Sequence, residues 1–169
     1  DVPANAFFAD AVKWAVDKGV TNGLTDTMFG PYEPCTRGQI ITFLWRAAGS
    51  PEPKTTVSFA DVPAGSYYAK AVAWAIENGI TNGVTDTTFA PDATCTRGQG
   101  VTFLYRALKG SAGATSSFVD VPTNAFYADA VGWAVSGKVT DGTSNTTFSP
   151  DDNCTRGQIV TFLFRAYSK

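Results

Sequence analysis

Arg37, Arg97 and Arg156 sit in three copies of one motif, Cys-Thr-Arg-Gly-Gln, at 35–39, 95–99 and 154–158. Each arginine is placed for the first turn of a helix, where a cation opposes the helix dipole and is not an obvious choice for stability. A planar guanidinium can grip a carboxylate through two parallel hydrogen bonds, and a helix N-terminus favours a nearby anion. One charge-assisted bond of this kind is worth about 1.5–3 kcal/mol. The competing reading is a structural salt bridge to an Asp of a neighbouring unit. Trp14, Trp74 and Trp133 also recur once per copy. Indole pairs an apolar face with one N–H donor, which suits a ligand of mixed surface; packing between units explains these residues as well. Asp26 and Asp86, with Gly23, Gly83 and Gly142, lie in a loop and could meet ligand hydroxyls. Asp-x-Thr and Thr-Asn-Gly are also ordinary turn chemistry.

Other chemistry is disfavoured. The 169 residues contain no histidine, which removes the usual nucleophile–base pairs and the commonest metal ligand. Cys35, Cys95 and Cys154 hold one equivalent position per copy. Three thiols could meet on a threefold axis and bind a metal, but packing as small hydrophobes is the stronger reading. Their odd number and equivalent placement do not suit a disulfide framework. No cofactor, metal site or catalytic residue is expected. The loops lack the spaced ligands of an EF-hand. A net charge of −2 argues against nucleic acid and against a polybasic membrane patch. No apolar run approaches the ~20 residues of a membrane span.

The elements that must position these residues come from a threefold repeat. Asp1-Val2-Pro3 returns at 61–63 and 120–122, and Phe29-Gly30-Pro31 as Phe89-Ala90-Pro91 and Phe148-Ser149-Pro150. The units are 1–50, 59–110 and 118–169, joined by a semi-extended linker, Gly49–Ser58, and a flexible Gly/Ser/Ala-rich one, Gly110–Ser117. Each unit reads as helix, loop, helix. In the first, a helix is expected from about Ala6 to Lys18, with Phe8, Ala11, Val12, Ala15 and Val16 on one apolar face. Gly19 and Gly79 stop this helix; in the third unit Lys138 takes that place, so its end should be shorter or strained. A very short strand is the most expected at Val20-Thr21. Thr36 with Gln39, and its two repeats, form capping boxes that open the second helix, which carries Ile40, Ile41, Phe43, Leu44 and Ala47 toward a core. A lone unit of ~60 residues is marginal, so the three should share one core in an all-α, pseudo-threefold assembly.

The pattern Phe-x-Asp-Val, Trp-Ala-[IV], Gly-[IV]-Thr-x-Gly, Phe-x-Pro and Thr-Arg resembles the S-layer homology family. Phe59-Ala60-Asp61-Val62, Trp74-Ala75-Ile76 and Gly79-Ile80-Thr81-Asn82-Gly83 carry it in the second unit, and the chain holds three tandem copies. The resemblance implies a three-pronged spindle or prism of helices that binds secondary cell-wall polysaccharide, often through a terminal pyruvylated N-acetylmannosamine, in grooves between units. A pyruvyl ketal would supply the carboxylate for Arg37, Arg97 or Arg156. Such modules hold exported proteins on the cell surface or in the S-layer. The chain opens at Asp1 in mid-motif, so it reads as a piece of a longer chain with a signal expected upstream; the resemblance implies an upstream cargo domain of the same polypeptide. The alternative is an assembly module that packs against other surface proteins and reads no sugar. Two departures from the family bear on the glycan: Gln39, Gln99 and Gln158 replace the usual Glu, and Asp26-Thr27, Asp86-Thr87 and Asn145-Thr146 replace Asp-Gly.

Overall fold

The computed structural model describes residues 1–113 and 115–168. Ala114, in the second linker, and Lys169, the end of the third unit, lie outside the described residues. Six helices follow one another: α1 (Ala9–Asp17), α2 (Arg37–Ala47), α3 (Ala69–Glu77), α4 (Arg97–Ala107), α5 (Ala128–Ser136) and α6 (Arg156–Tyr167). The only bridges among the described residues are isolated pairs, such as Thr36 with Thr94, and Val20-Thr21, where the sequence allows at most a very short strand, forms none. Both N–H groups there donate instead to the carbonyl of Ala15, which closes the end of α1.

α2, α4 and α6 touch one another at the centre, while α3 packs on α2, α5 on α4 and α1 on α6. The outer helix of each unit therefore leans on the inner helix of the preceding unit, and the first unit closes the ring onto the third. At the axis, the Cys35 N–H donates to the Cys154 carbonyl, Cys154 to Cys95 and Cys95 to Cys35, at 2.8–2.9 Å. The three thiols are fully buried. Burial first, then neighbouring thiols, pushes Cys35 far above the usual thiol range, and burial pushes Cys154 up to about 12, so they stay protonated. They fill the axis as small apolar groups. One continuous core runs through all three units, with Phe8, Phe89 and Phe148 among its largest sealed side chains.

The inner helices begin as expected. Each of Thr36, Thr96 and Thr155 forms a complete capping box with the Gln three residues on. The outer helices start later than the apolar pattern suggests. Residues before Ala9 form turns, with the Ala6 N–H on the Pro3 carbonyl, because the proline-led turn satisfies these groups locally. Val16, read as part of the apolar face, is 47% exposed: α1 buries only Ala11, Val12 and Ala15, and Val16 borders an open cleft with Val2 and Met28.

The third unit keeps its outer helix at the same nine residues as the others. The strain appears instead at Lys138, whose φ of 55° matches the left-handed 67° of Gly19 and 66° of Gly79. A left-handed non-glycine residue costs about 1–2 kcal/mol. Lys138→Gly is thus expected to raise unfolding stability by about 0.5–1 kcal/mol, since the freedom glycine adds to the unfolded chain offsets part of the gain. Urea denaturation checks it; a lower midpoint would contradict it.

Candidate functional site

The site is built from the way each inner helix starts. In α4, the Arg97 and Gly98 N–H groups donate to the carbonyls of Asp152 and Pro150, both in the next unit's loop. α2 docks in the same way on Ala93 and Pro91, and α6 on Glu33 and Pro31. The third N–H is taken by the capping threonine. The helix N-termini are therefore already satisfied by the protein. Any anion must be met by side chains, which differs from the sequence expectation that the helix end would help.

The loop that receives each arginine is held by an acid whose role the sequence left unassigned. The Asp61 carboxylate accepts the N–H groups of Phe89 at 2.9 Å and Ala90 at 2.7 Å, and Asp1 and Asp120 do the same for Phe29-Gly30 and Phe148-Ser149. Ala90 and Ser149 are left-handed, at φ 56°, a conformation that the two bonds to the aspartate hold in place. The Phe carbonyl then points at the neighbouring arginine. Burial pushes the Asp61 carboxyl up, but the Phe89 and Ala90 N–H groups, its own N–H and the Arg37 charge outweigh it and hold it below the usual 3.8. Its contribution is thus complete above that value and lost as pH falls through the lower folded value. Asp61→Asn keeps one acceptor and loses the charge, so it should cost about 1.5–3 kcal/mol at neutral pH. The gap to the parent protein should narrow at pH 3, as urea midpoints at the two pH values would reveal.

The arginines take a definite place between units. The Nε–H of Arg37 donates to the Phe89 carbonyl, Arg97 to Phe148 and Arg156 to Phe29, at 2.8–2.9 Å. Each guanidinium lies over two phenylalanine rings, those of Phe148 and Phe162 at 4.6 and 5.5 Å for Arg97. All three are at most 5% exposed, and burial pulls their pKa down. No salt bridge to a neighbouring Asp forms: the ion pairs among the described residues are Lys13–Asp17, Lys70–Glu52 and Arg165–Asp141. In every copy Nη2 is buried without an acceptor. An unpartnered buried donor costs about 1–3 kcal/mol, more when charged, so its threefold presence calls for an explanation beyond stability.

Two clefts open over these groups. One, of about 360 Å³, is lined by Arg97, Phe162, Gln158, Arg165, the 140–143 loop and Phe7. The other, of about 310 Å³, has the equivalent set: Arg156, Phe43, Gln39, Arg46, the 21–24 loop and Tyr67. The corresponding residues at the second unit are its own Phe103, Gln99 and Arg106, with Arg37 of the first unit and Phe126 of the third. Phe7, Tyr67 and Phe126 are 57–63% exposed, each edge-on against the ring that follows it. Adjacent aromatics on a turn point to opposite sides, so one of each pair is left outside. Each Gln has its Oε1 committed to the capping box and offers a ligand its NH₂.

The other expected site residues are placed differently. Trp14 packs on Phe164 and Trp133 on Tyr105, with ring centres 5.9 and 5.8 Å apart, and Trp74 is nearly sealed. All lie on the seams between outer and inner helices. Trp14 also borders a separate cleft with Lys18 and Tyr167. Gly23 and Gly142 line the two arginine clefts. They and Gly83 have φ near +90°, and a Cβ there would lie 2.6–2.8 Å from a backbone oxygen, so only glycine fits the turn. Asp26 borders a separate cleft beside Asp1, and Asp86 is exposed.

The model of the S-layer homology domain matches residues 1–41, 58–99 and 117–160. The chain belongs to the S-layer homology family. Each matched segment takes in one outer helix, the loop and the start of the inner helix, and membership places this S-layer homology chain at the cell surface, in an anchoring role. Among its relatives is a cell surface protein of Thermoanaerobacter kivui, 33% identical over 64% of the chain and 15% of the relative. A surface-layer 125 kDa protein of Lysinibacillus sphaericus is 32% identical over 60% of the chain and 9% of the relative. A cellulosome-anchoring protein of Acetivibrio thermocellus is 28% identical over 73% of the chain and 29% of the relative. The chain thus spans less than a third of the length of these relatives.

Proposed function

We propose that this chain is a non-catalytic module that holds a larger exported protein on the bacterial cell wall by binding secondary wall polysaccharide, with an acidic, pyruvylated terminal sugar as the group recognised. The observation that carries the reading is the arginine trio. With Nε committed to a carbonyl, the remaining edge of each guanidinium, including the unpartnered Nη2, matches a carboxylate in fork geometry. The exposed ring of Phe7 or Tyr67 supplies an apolar face for a sugar, and Gln158 or Gln39 supplies a neutral donor. Hydrolysis of a glycoside would need a pair of carboxylates; the two clefts hold one between them, Asp141, and it is tied to Arg165. Several weak clefts on one chain would anchor firmly by avidity.

Sedimentation with purified walls tests the reading. The chain should pellet with walls that retain their secondary polymer and stay in solution with walls stripped of it. Equal pelleting with both would overturn glycan recognition and favour a module that packs against other surface proteins.

A further inference from the structure

The clefts differ in charge, and one side chain makes the difference. Arg46, Arg106 and Arg165 hold equivalent places, each donating Nη1 to a loop carbonyl, that of Val20, Ile80 or Val139. Where the first two units have Asn22 and Asn82, the third has Asp141. Its carboxylate also takes Nη1 of Arg165, at 3.3 Å, and its side chain stays 82% exposed. The cleft of the first unit is thus lined by two cations, Arg46 and Arg156, and no acid. The cleft of the third is lined by Arg97 and Arg165 with Asp141 against them.

We propose that the residue at 22 and 141 sets the charge of the sugar each cleft accepts: the Asn22 cleft takes the acidic sugar, and Asp141 turns it away from the third, which takes an uncharged sugar of the same polymer. This rests on the glycan-binding reading above. Asp141 acts in two ways. It neutralises the rim arginine, which in the other units keeps its full charge for a ligand, and it sets an exposed carboxylate against an incoming one. Placing like charges together at an interface raises specificity more than it changes overall affinity. The ring of Phe7 and the amide of Gln158 do not depend on ligand charge, so the third cleft keeps the contacts a neutral sugar needs.

The test uses two probes, the methyl glycoside of pyruvylated N-acetylmannosamine and its methyl ester, which lacks the charge. Each is titrated into the ¹⁵N-labelled chain, with the amides of Gly23 and Gly142 reporting on the two clefts. The acid should bind at Gly23 at least about fivefold more tightly than at Gly142, and the ester should show no such gap. In Asp141→Asn the Gly142 response to the acid should rise to that of Gly23, with the ester response unchanged. Equal affinities for the acid in the parent chain, or a gap that survives Asp141→Asn, would overturn the proposal. If neither probe moves either amide, the glycan-binding reading fails, and this inference with it.

Discussion

Replacing Arg37, Arg97 and Arg156 together by Met should abolish wall binding while leaving a folded chain. Met roughly keeps the stem volume between the phenylalanine rings, and it removes a buried charge that has no carboxylate partner. What each substitution loses inside the protein is the contact of the charge with two phenylalanine rings and the Nε–H bond to a Phe carbonyl, the bond worth about 1–3 kcal/mol when the acceptor is left behind. What each cleft loses toward a ligand is a charge-assisted fork, about 1.5–3 kcal/mol or roughly 10- to 150-fold. Because anchoring multiplies the clefts, the triple variant should fall below detection in wall sedimentation while keeping a cooperative melt. Single substitutions should weaken binding unequally, Arg97→Met least toward an acidic sugar, since Asp141 shares its cleft. Full binding by a folded triple variant would remove the arginines from the account.

A large effect on stability is expected from a single methyl group at Gly98. A Cβ there would lie 2.8 Å from the Tyr127 ring and 3.1 Å from the Pro150 carbonyl, the same carbonyl that accepts the Gly98 N–H at 2.8 Å. Neither neighbour yields easily: Tyr127 packs against the core, and Pro150 follows Ser149, which the Asp120 carboxylate holds. Gly98→Ala gains helix propensity of about 1 kcal/mol but must push the third unit off the start of α4. Overpacking of this kind costs about 1–3 kcal/mol and occasionally more. With the docking bond stretched as well, a net loss of about 2–3 kcal/mol is expected, or roughly 5–10 °C in Tm for a chain of this size. A thermal melt at or above that of the parent would show that the units are less tightly interlocked than the structure has them.

The fold was legible because its signals are local and occur three times. The Thr-Arg-Gly-Gln run specifies a helix start by capping alone, and the apolar spacing of Ile40, Ile41, Phe43 and Leu44 specifies its buried face. The wiring was not legible. Nothing in a helical period says that α1 packs on α6 rather than on α2, because that choice is made by long-range docking of Arg156 and Gly157 onto Glu33 and Pro31. The same reason hid the purpose of Asp61: the motif marked it as repeated, but its partners lie 28 and 29 residues away. In the proposed site, the arginines stood out in the sequence by their awkward position at a helix start. The exposed rings of Phe7, Tyr67 and Phe126 were not, since a pair of adjacent aromatics looks alike whichever member is buried. The Gly-Lys exchange at the end of α5 was visible as an anomaly. Its outcome, a left-handed Lys138 rather than a shortened helix, depended on whether the next segment could still close onto Ala134, which it does.

The most direct measurement is a crystal structure of the chain soaked with a wall-glycan fragment that ends in pyruvylated N-acetylmannosamine. The carboxylate is expected in the first unit's cleft, its oxygens about 2.7–2.9 Å from the free edge of the Arg156 guanidinium, with the sugar ring beside Tyr67. Fragment density confined to the tryptophan seams, or a carboxylate that avoids all three arginines, would contradict the account.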